Sequence, residues 1–244
     1  MRRMFSFAGR TMKEILRDPL TMGFGLGFPV VLLLLLSLIQ ANIPVEMFEL
    51  THLTPGITVF GLAFMTLFSA QLISKDRSSS LLTRLYTTPL KATDFILGYL
   101  LPVIPLCLAQ SLICYIVALI LGMPFSVNII WAVLMNIVPS FSYVALGLLC
   151  GSAMTEKQVG GICGALLTNL SAWLSGIWFD IEMLGKAFKT VANCLPFIHA
   201  VELERAVVIG DLNSALPHFW WVLGYGVVLM VIAIAVFLRQ MKNR

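Results

Sequence analysis

Few residues of this chain have the types and spacing that catalysis requires. Leu174-Ser175-Gly176, with His199 further along, could supply a nucleophile and a base, as in an intramembrane serine protease. Trp173, however, occupies the position where that pattern needs a glycine. The sequence contains no GxxxxGK[ST] phosphate loop, no H-E-x-x-H and no GxSxG. We therefore expect a protein that is not an enzyme and does not bind ATP through a phosphate loop.

The cysteines predict no further chemistry. Their number is odd, no CxxC pair occurs, and four of the five fall in apolar runs, where a free cysteine behaves as a small apolar residue. They are Cys107, Cys114, Cys150, Cys163 and Cys194. We expect neither a disulfide nor a metal site.

The elements that carry these residues are membrane spans. Hydrophobic residues make up 59% of the 244 residues and charged residues only 11%, too few to cover a soluble fold and without the dense basic cluster of a nucleic-acid-binding protein. Asp, Glu, Lys and Arg are absent from 19–45, 50–74, 95–155, 158–179 and 212–238. Each run is long enough for a span, and 95–155 is long enough for two, with a turn at Gly122-Met123-Pro124.

The sequence thus predicts an all-α membrane protein that forms a single transmembrane domain over residues 1–244. The six predicted helices lie near 20–40, 54–74, 95–121, 129–152, 158–178 and 218–238. The absence of charged residues at mid-span argues against ion-driven transport and against a charged-ring channel. A polar-lined channel or a facilitator for a neutral substrate remains open.

The basic residues predict the orientation. With six spans, both termini lie on one side of the membrane, and that side holds 13 of the 16 Lys and Arg residues. The other three are Lys186, Lys189 and Arg205. Because Lys and Arg concentrate in cytoplasmic segments, we expect both termini to lie in the cytoplasm of a multi-pass protein of the cell membrane.

Two segments outside the spans have helical patterns. In residues 2–18, Met4, Phe7, Ala8, Met12, Ile15 and Leu16 share one side of a helix whose other side is basic. Such a helix lies at the membrane interface, where it contacts lipid headgroups, or serves only as a topology anchor. Residues 179–217 contain apolar clusters that favour two short helices lying at, or dipping into, the outer leaflet, or a lid packed over the bundle.

Residues 78–89 predict a third short helix, which Pro89 ends. Its apolar face consists of Leu81, Leu82, Leu85 and Tyr86, and Arg84 lies on the same helix. An exposed apolar face has to be covered. Either the membrane or the underside of the bundle covers it, or it docks into a cytoplasmic partner.

Polar and small residues inside the spans are candidates for contacts. Thr66 and Ser69 lie in the second span, and Thr168 and Asn169 in the fifth. Such residues hold helices together more often than they bind ligands. Gly160 and Gly164 form a GxxxG motif, which favours close helix packing within or between subunits.

Three stretches resemble the ABC-2 permease family, the membrane subunits of type-2 ATP-binding-cassette exporters. The first is Arg17-Asp18-Pro19, at the end of the basic amphipathic helix. The second is Leu82-Thr83-Arg84-Leu85-Tyr86-Thr87-Thr88-Pro89-Leu90, followed by Phe95-Ile96-Leu97-Gly98. The third is Leu195-Pro196-Phe197-Ile198-His199-Ala200-Val201-Glu202, with Arg205-Ala206 and Gly210-Asp211. The chain departs from the family at Ser78-Ser79-Ser80, where an acidic residue and a glycine are usual.

This resemblance implies a function for the whole chain. Residues 2–18 would be a connecting helix, with Arg10, Lys13, Arg17 and Asp18 as its contact residues. Residues 78–89 would be a coupling helix that meets a separate cytoplasmic ATPase through Leu81, Leu82, Arg84, Leu85 and Tyr86. The partner would bind ATP and Mg²⁺, and this chain would hold no cofactor.

The resemblance also implies a second permease copy or a paralogue, with an export pathway along helices one, two and five. Thr66, Ser69, Thr168 and Asn169 are then the candidate contacts with the substrate. A stand-alone channel or facilitator and an intramembrane enzyme are the alternatives to this reading.

The predicted orientation can be measured by labelling. In a background without other reactive cysteines, an impermeant thiol reagent applied to intact cells should label cysteines introduced at Glu46 and Lys186. It should leave cysteines at Ser79 and Lys242 unlabelled, because the 13 basic residues keep these segments inside. Labelling at Ser79 from outside would contradict the orientation.

Overall fold

The fold is helical throughout the part of the chain that the structure describes. The computed structural model describes residues 2–42, 48–79, 92–179, 181 and 185–242, and over these residues it contains no strand. The all-α prediction is therefore confirmed. The nine helices of this described part are α1 (Arg2–Arg17), α2 (Pro19–Asn42), α3 (Leu50–Ser78), α4 (Ala92–Ile120), α5 (Asn128–Ala153), α6 (156–174), α7 (Lys186–Cys194), α8 (Pro196–Ile209) and α9 (Leu212–Lys242).

Five of the described helices, α2 to α5 and α9, are long and apolar enough to cross a membrane, and each overlaps a predicted span. The predicted count of six is not confirmed, because α6 is not among them. α6 consists of three consecutive segments, Glu156–Val159, the π-helical Gly160–Leu167 and Thr168–Leu174. The last segment contains the polar residues predicted to line the substrate pathway, and these residues also lower the hydrophobicity of α6.

The bundle has two ends, which differ in charge. Phe95, at the start of α4, contacts Phe7 of α1 and Phe237 of α9, with ring centroids 5.5 and 6.4 Å apart. α1, the last turn of α3 and the first turn of α4 thus meet at one end, which we call the basic end. α7 and α8 lie at the opposite end, which we call the far end.

α1 forms the predicted amphipathic helix but buries only part of its apolar side. Phe7, Ala8 and Ile15 are buried, and the Phe7 ring meets the edges of Phe95 and Tyr99 on α4. Leu16, which we expected on the same face, is 51% exposed. The helix therefore packs along a narrower stripe than the sequence pattern suggests, because only the residues that point directly at α4 find partners.

Close contact between α3 and α5 forms the centre of the bundle. The Thr66 hydroxyl donates a hydrogen bond of 2.8 Å to the Tyr143 carbonyl across this interface. A Cβ atom at Gly151 would lie 2.7 Å from the Ala70 carbonyl oxygen, and one at Gly147 would lie 2.9 Å from that of Thr66. Only glycine permits so close an approach, so this GxxxG pair, which the sequence analysis overlooked, determines the packing.

The glycines of α6 behave differently. No described atom lies within 4 Å of a Cβ atom built at Gly160 or Gly161, and among the described residues a Cβ atom at Gly164 meets only the Leu67 side chain, at 3.5 Å. Close packing of this motif within the chain is therefore not observed. Close packing between two subunits stays a prediction.

The segment before the last span contains the two short helices α7 and α8, which we call the hairpin. Leu195 is extended between α7 and α8, Pro196 begins α8 as its first residue, and Gly210 ends α8 with a φ of 90°, which glycine adopts readily. Two short helices thus lie in the segment for which the sequence predicted two, and their place at the membrane interface stays a prediction.

Arg205 attaches this hairpin to the bundle. Its Nε donates to the His52 carbonyl at 3.2 Å, and its Nη2 donates to the Gly176 carbonyl at 3.1 Å. Its Nη1 pairs with the Glu202 carboxylate at 2.8 Å. One largely buried guanidinium thus joins α8 to the start of α3 and the end of α6.

The α3–α5 contact predicts the effect of a single methyl group. Gly151→Ala should lower the free energy of unfolding by about 1–3 kcal/mol, because the new atom overlaps the α3 backbone. Gly160→Ala, with open space around it, is the matched control and should be neutral or slightly stabilising. Thermal unfolding of the purified protein in detergent measures both. Equal stability of the two variants would contradict the packing assignment.

Candidate functional site

An ion pair at the basic end joins three helices. Asp76, in the last turn of α3, is 2% exposed, and its carboxylate accepts two hydrogen bonds from the Arg10 guanidinium of α1, at 2.6 and 2.9 Å. The Tyr99 hydroxyl of α4 donates to the same carboxylate at 2.8 Å. Hydrogen bonding to Asp76 raises the pKa of Arg10 above its ordinary value, so the guanidinium stays charged. The arrangement fixes α1 rigidly to α3 and α4.

The sequence of α1 explains why Arg10 reaches Asp76. Phe7 packs its ring against Phe95 and Tyr99, which sets the rotation of the helix. Three residues further, nearly one turn, Arg10 then faces the end of α3. Glu14, one turn beyond Arg10, pairs with it at 2.5 Å and lies 3.9 Å from Lys75 of α3.

The other predicted connecting residues have different roles. The Asp18 carboxylate accepts hydrogen bonds from the Leu20 amide at 3.2 Å and the Thr21 hydroxyl at 2.6 Å, so it caps the start of α2, where Pro19 is the first residue. Lys13 and Arg17 are exposed on α1. Their contact with a partner stays a prediction.

A second arginine fixes the end of α3 to the end of α5. The Arg77 guanidinium donates to the backbone carbonyls of Ser152 and Met154. Thr155 then begins α6 with a capping box, in which Thr155 and Gln158 bond each other's backbone amides. The last turn of α3 is thus held on one side by α1 and on the other by α5.

A cleft of about 1160 Å³ opens at the same end, between α1, the start of α2 and the last turns of α3. Its lining mixes both charges: Arg10, Lys13, Arg17, Lys75, Glu14, Asp18 and Glu156. Phe5 and Phe68 add apolar surface to it. A cleft of this size and mixed character could admit an amphiphilic or polar molecule, and it reaches the first turn of α6.

The predicted coupling residues Leu81, Leu82, Arg84, Leu85 and Tyr86 lie outside the described residues. α3 ends at Ser78, and the Ser79 amide bonds to the Lys75 carbonyl at 2.9 Å. The next described helix, α4, begins at Ala92. The predicted coupling segment therefore connects the two helices that Asp76 joins.

The four predicted pathway residues separate into two pairs. Thr66 and Ser69 are buried between α3 and α5, and their hydroxyls donate to backbone carbonyls, Ser69 to that of Thr66 at 3.0 Å. Asn169 is exposed and Thr168 half-exposed on α6, and their side chains donate to the carbonyls of Ala165 and Cys163. Contact of any of the four with a substrate stays a prediction.

Asp76 and Tyr99 were not among the predicted site residues. Asp76 lies in the run Lys75-Asp76-Arg77, which looked like an ordinary solvated end of a span. Its position two residues beyond the charge-free run 50–74 was the available signal, because an acid so close to the bundle needs a cation.

The fold and this junction define a class of protein, a multi-pass membrane protein whose basic end is organised around one buried ion pair. A family model described as "ABC-2 family transporter protein" matches residues 49–235. The chain belongs to this family of transporter membrane domains.

The chain is 24% identical over 160 residues to the capsule polysaccharide export inner-membrane protein CtrC of Neisseria meningitidis serogroup A / serotype 4A (strain DSM 15465 / Z2491). The match covers 65% of this chain and 60% of that protein, so it spans less than two thirds of the relative's length.

Replacing Arg10 and replacing Asp76 should destabilise the protein by different amounts. Arg10→Leu leaves the buried Asp76 carboxylate with Tyr99 but no cation, and should lower the free energy of unfolding by about 3 kcal/mol, the low end for a broken buried pair because Arg10 is partly exposed. Asp76→Asn should cost less, since Arg10 keeps Glu14. Lys13→Leu, an exposed change on the same helix, is the control. Chemical unfolding in detergent and proteolysis of α1 measure the three variants, and three equal losses would contradict the pairing.

Proposed function

We propose that this chain is the membrane subunit of an ATP-driven exporter and that a separate cytoplasmic ATPase drives it through residues 78–89. The single observation that carries the proposal is the Arg10–Asp76–Tyr99 junction, which fixes α1 to both helices that flank this segment. Membership of the ABC-2 family supports a transport role. The word "export" in the relative's name supports the direction.

The junction supplies the mechanical part of the proposal. A force on residues 78–89 acts at one end on Ser78 of α3 and at the other on the first turn of α4. Because Asp76 is bonded to Arg10 and Tyr99, the force reaches α1, α3 and α4 together. Through the hydrogen bonds of Arg77, the force also reaches the end of α5. The basic end would therefore move as one body when the ATPase closes.

The basic end is the cytoplasmic end in this proposal. The Lys and Arg bias supports it, since 13 of 16 basic residues belong to the segments at that side. The ATPase would bind ATP and Mg²⁺, and this chain would transmit motion without catalysing a reaction. Lys13 and Arg17, exposed on α1, would then face lipid headgroups or the partner.

A second permease copy or a paralogue would complete the pathway. In the span Pro19–Asn42 only 22% of the most apolar window is buried, so α2 has a large apolar surface for lipid or another subunit. Asn169 is exposed on α6, and no atom crowds Gly160 and Gly161 of the same helix. We propose that α2 and α6 face the second subunit and that Thr168 and Asn169 line the substrate path, with Thr66 and Ser69 behind them.

The docking half of the proposal is tested by a double substitution. Leu81→Ser/Leu85→Ser removes two side chains of the predicted apolar face, each worth about 1.5–3 kcal/mol when buried. Docking of the ATPase should weaken by about 100-fold or more, since each 1.4 kcal/mol is a factor of ten. Co-purification of the ATPase from the same operon or genome neighbourhood, together with its substrate-stimulated hydrolysis, measures the loss.

The matched control changes the opposite face of the same segment. Thr83→Ala/Thr87→Ala should leave co-purification unchanged, because at 100° per residue these positions lie away from the leucines. Poor expression of the leucine variant with normal ATPase binding would instead assign the segment to the bundle or the membrane. A chain that transports without any ATPase would establish the facilitator alternative.

A further inference from the structure

Glu204 on α8 is an acid buried at the far end, and no described residue supplies it with a cation. Its side chain has no solvent exposure, and neither carboxyl oxygen has a hydrogen-bond partner. Arg205, the next residue, is turned away from it, because its guanidinium bonds to the carbonyls of His52 and Gly176 and to Glu202. Successive residues of a helix point 100° apart, so holding Arg205 in this way directs Glu204 into the bundle.

One buried polar group, Tyr115, lies near this carboxyl, and further buried hydroxyls lie on the adjoining helix α3. The Tyr115 hydroxyl of α4 is close enough to interact with Glu204 and with Thr58 of α3, yet it makes no hydrogen bond of ordinary geometry. The Thr54 hydroxyl, one turn before Thr58, is also buried without a partner. α8 itself packs against α3, α5 and α9. Glu204 therefore lies in a small polar region that the packed helices close off from solvent.

The charge state of Glu204 follows from this setting. An ionised carboxylate with no cation and no hydrogen bond costs several kcal/mol in a protein interior, so the group takes up a proton instead. Burial raises the pKa of Glu204 well above its ordinary value, and the Tyr115 hydroxyl lowers it by a smaller amount. The neutral form is therefore the one that the closed bundle accommodates.

Of the titratable groups on the helices around Glu204, Tyr115 is the one that interacts with it. The first residues of α5 (128–136) contain no titratable side chain. Among the described residues, the others at this end are Glu49 and His52 at the start of α3, Cys114 on α4, Tyr143 on α5, Lys186, Lys189 and Cys194 on α7, Asp211, His218 and Tyr225 in or next to α9 and, on α8 itself, His199, Glu202 and Arg205.

We propose that Glu204 is a proton-binding site that keeps the α7–α8 hairpin closed over the bundle, and that its proton is released when the hairpin lifts. In the closed position the carboxyl is protonated and enclosed by α3 and α4. Lifting α8 away from α3 admits water, which stabilises the carboxylate. The reaction is Glu–COOH → Glu–COO⁻ + H⁺, and water takes the proton.

The direction of the pH effect follows from this linkage. In the lifted position the carboxyl returns to about its unperturbed pKa of 4.3. Below that value both positions are protonated and pH has no effect. Above it, and up to the raised pKa of the closed position, the closed hairpin binds the extra proton. Each rise of one pH unit then shifts the equilibrium toward the lifted hairpin by up to about tenfold.

The proton itself can be observed in the full-length permease without any ATPase, so the result is independent of the proposed function. Infrared spectra of the wild type at neutral pH should contain a protonated-carboxyl band that is missing in Glu204→Gln. Glu49→Gln removes an exposed acid at the same end and is the matched control, which should retain the band. Identical spectra for wild type and Glu204→Gln would overturn the proposal.

Hydrogen–deuterium exchange measures the lifting. Comparing the wild type with Glu204→Gln at each pH cancels the intrinsic pH dependence of amide exchange. From mildly acidic to mildly alkaline pH, the α8 amides of the wild type should lose protection relative to Glu204→Gln by up to about tenfold per pH unit. The amides of α1, at the basic end, should show no such difference. If the ratio of the wild-type exchange rate to the Glu204→Gln exchange rate at α8 does not change with pH, the proposed proton release is wrong. A wild-type infrared band that disappears on alkalinisation supports it even if Glu204→Gln folds poorly.

Discussion

The buried carboxylate of Asp76 is the constraint around which the basic end is organised. Burying a carboxylate costs free energy because it loses its hydration, and a cation with further hydrogen bonds is needed to offset that loss. Arg10 and Tyr99 do so, and they come from two different helices. The position of α1 therefore depends on one acid at the end of α3, since the apolar stripe of α1 alone is too narrow to hold it uniquely.

The buried acids at the two ends of the bundle have different partners. At the basic end, an arginine neutralises an acid. At the far end, Arg205 donates to two backbone carbonyls, one in the first turn of α3 and one in the turn after α6. Its neighbour Glu204 is left without a cation, so only a proton can neutralise it. A strong junction and a proton-sensitive hairpin thus lie at opposite ends of the same helix, α3.

α3 connects these two ends, and it is the most enclosed of the five candidate spans, with 72% of its most apolar window buried. Its contact with α5 is close enough to exclude even a methyl group at Gly151. The hydroxyl of Thr66 adds a hydrogen bond across the same interface. α2 and α6 are much more loosely enclosed, which leaves them available for contacts outside the chain.

Much of this architecture is readable from local sequence. Charge-free runs located five spans, the alternation of basic and apolar residues located α1, and Pro196 and Gly210 marked the limits of α8. Each signal acts within a few turns of chain, because hydrophobic length, helix capping and turn geometry are local properties. The sixth span was harder to assign, since the polar residues and glycines of α6 weaken the same signals.

Only the tertiary structure decided which polar groups meet. Asp76 is 66 residues from Arg10 in sequence, and nothing local identifies one as the partner of the other. Glu204 and Arg205 are adjacent in sequence, yet Glu204 is buried inside the bundle while Arg205 bonds to the backbone of α3 and of the turn after α6. The rotation of a helix about its axis depends on all its neighbours at once. The partners of buried charges and of close-packed glycines therefore follow from the packed bundle, not from the order of residues.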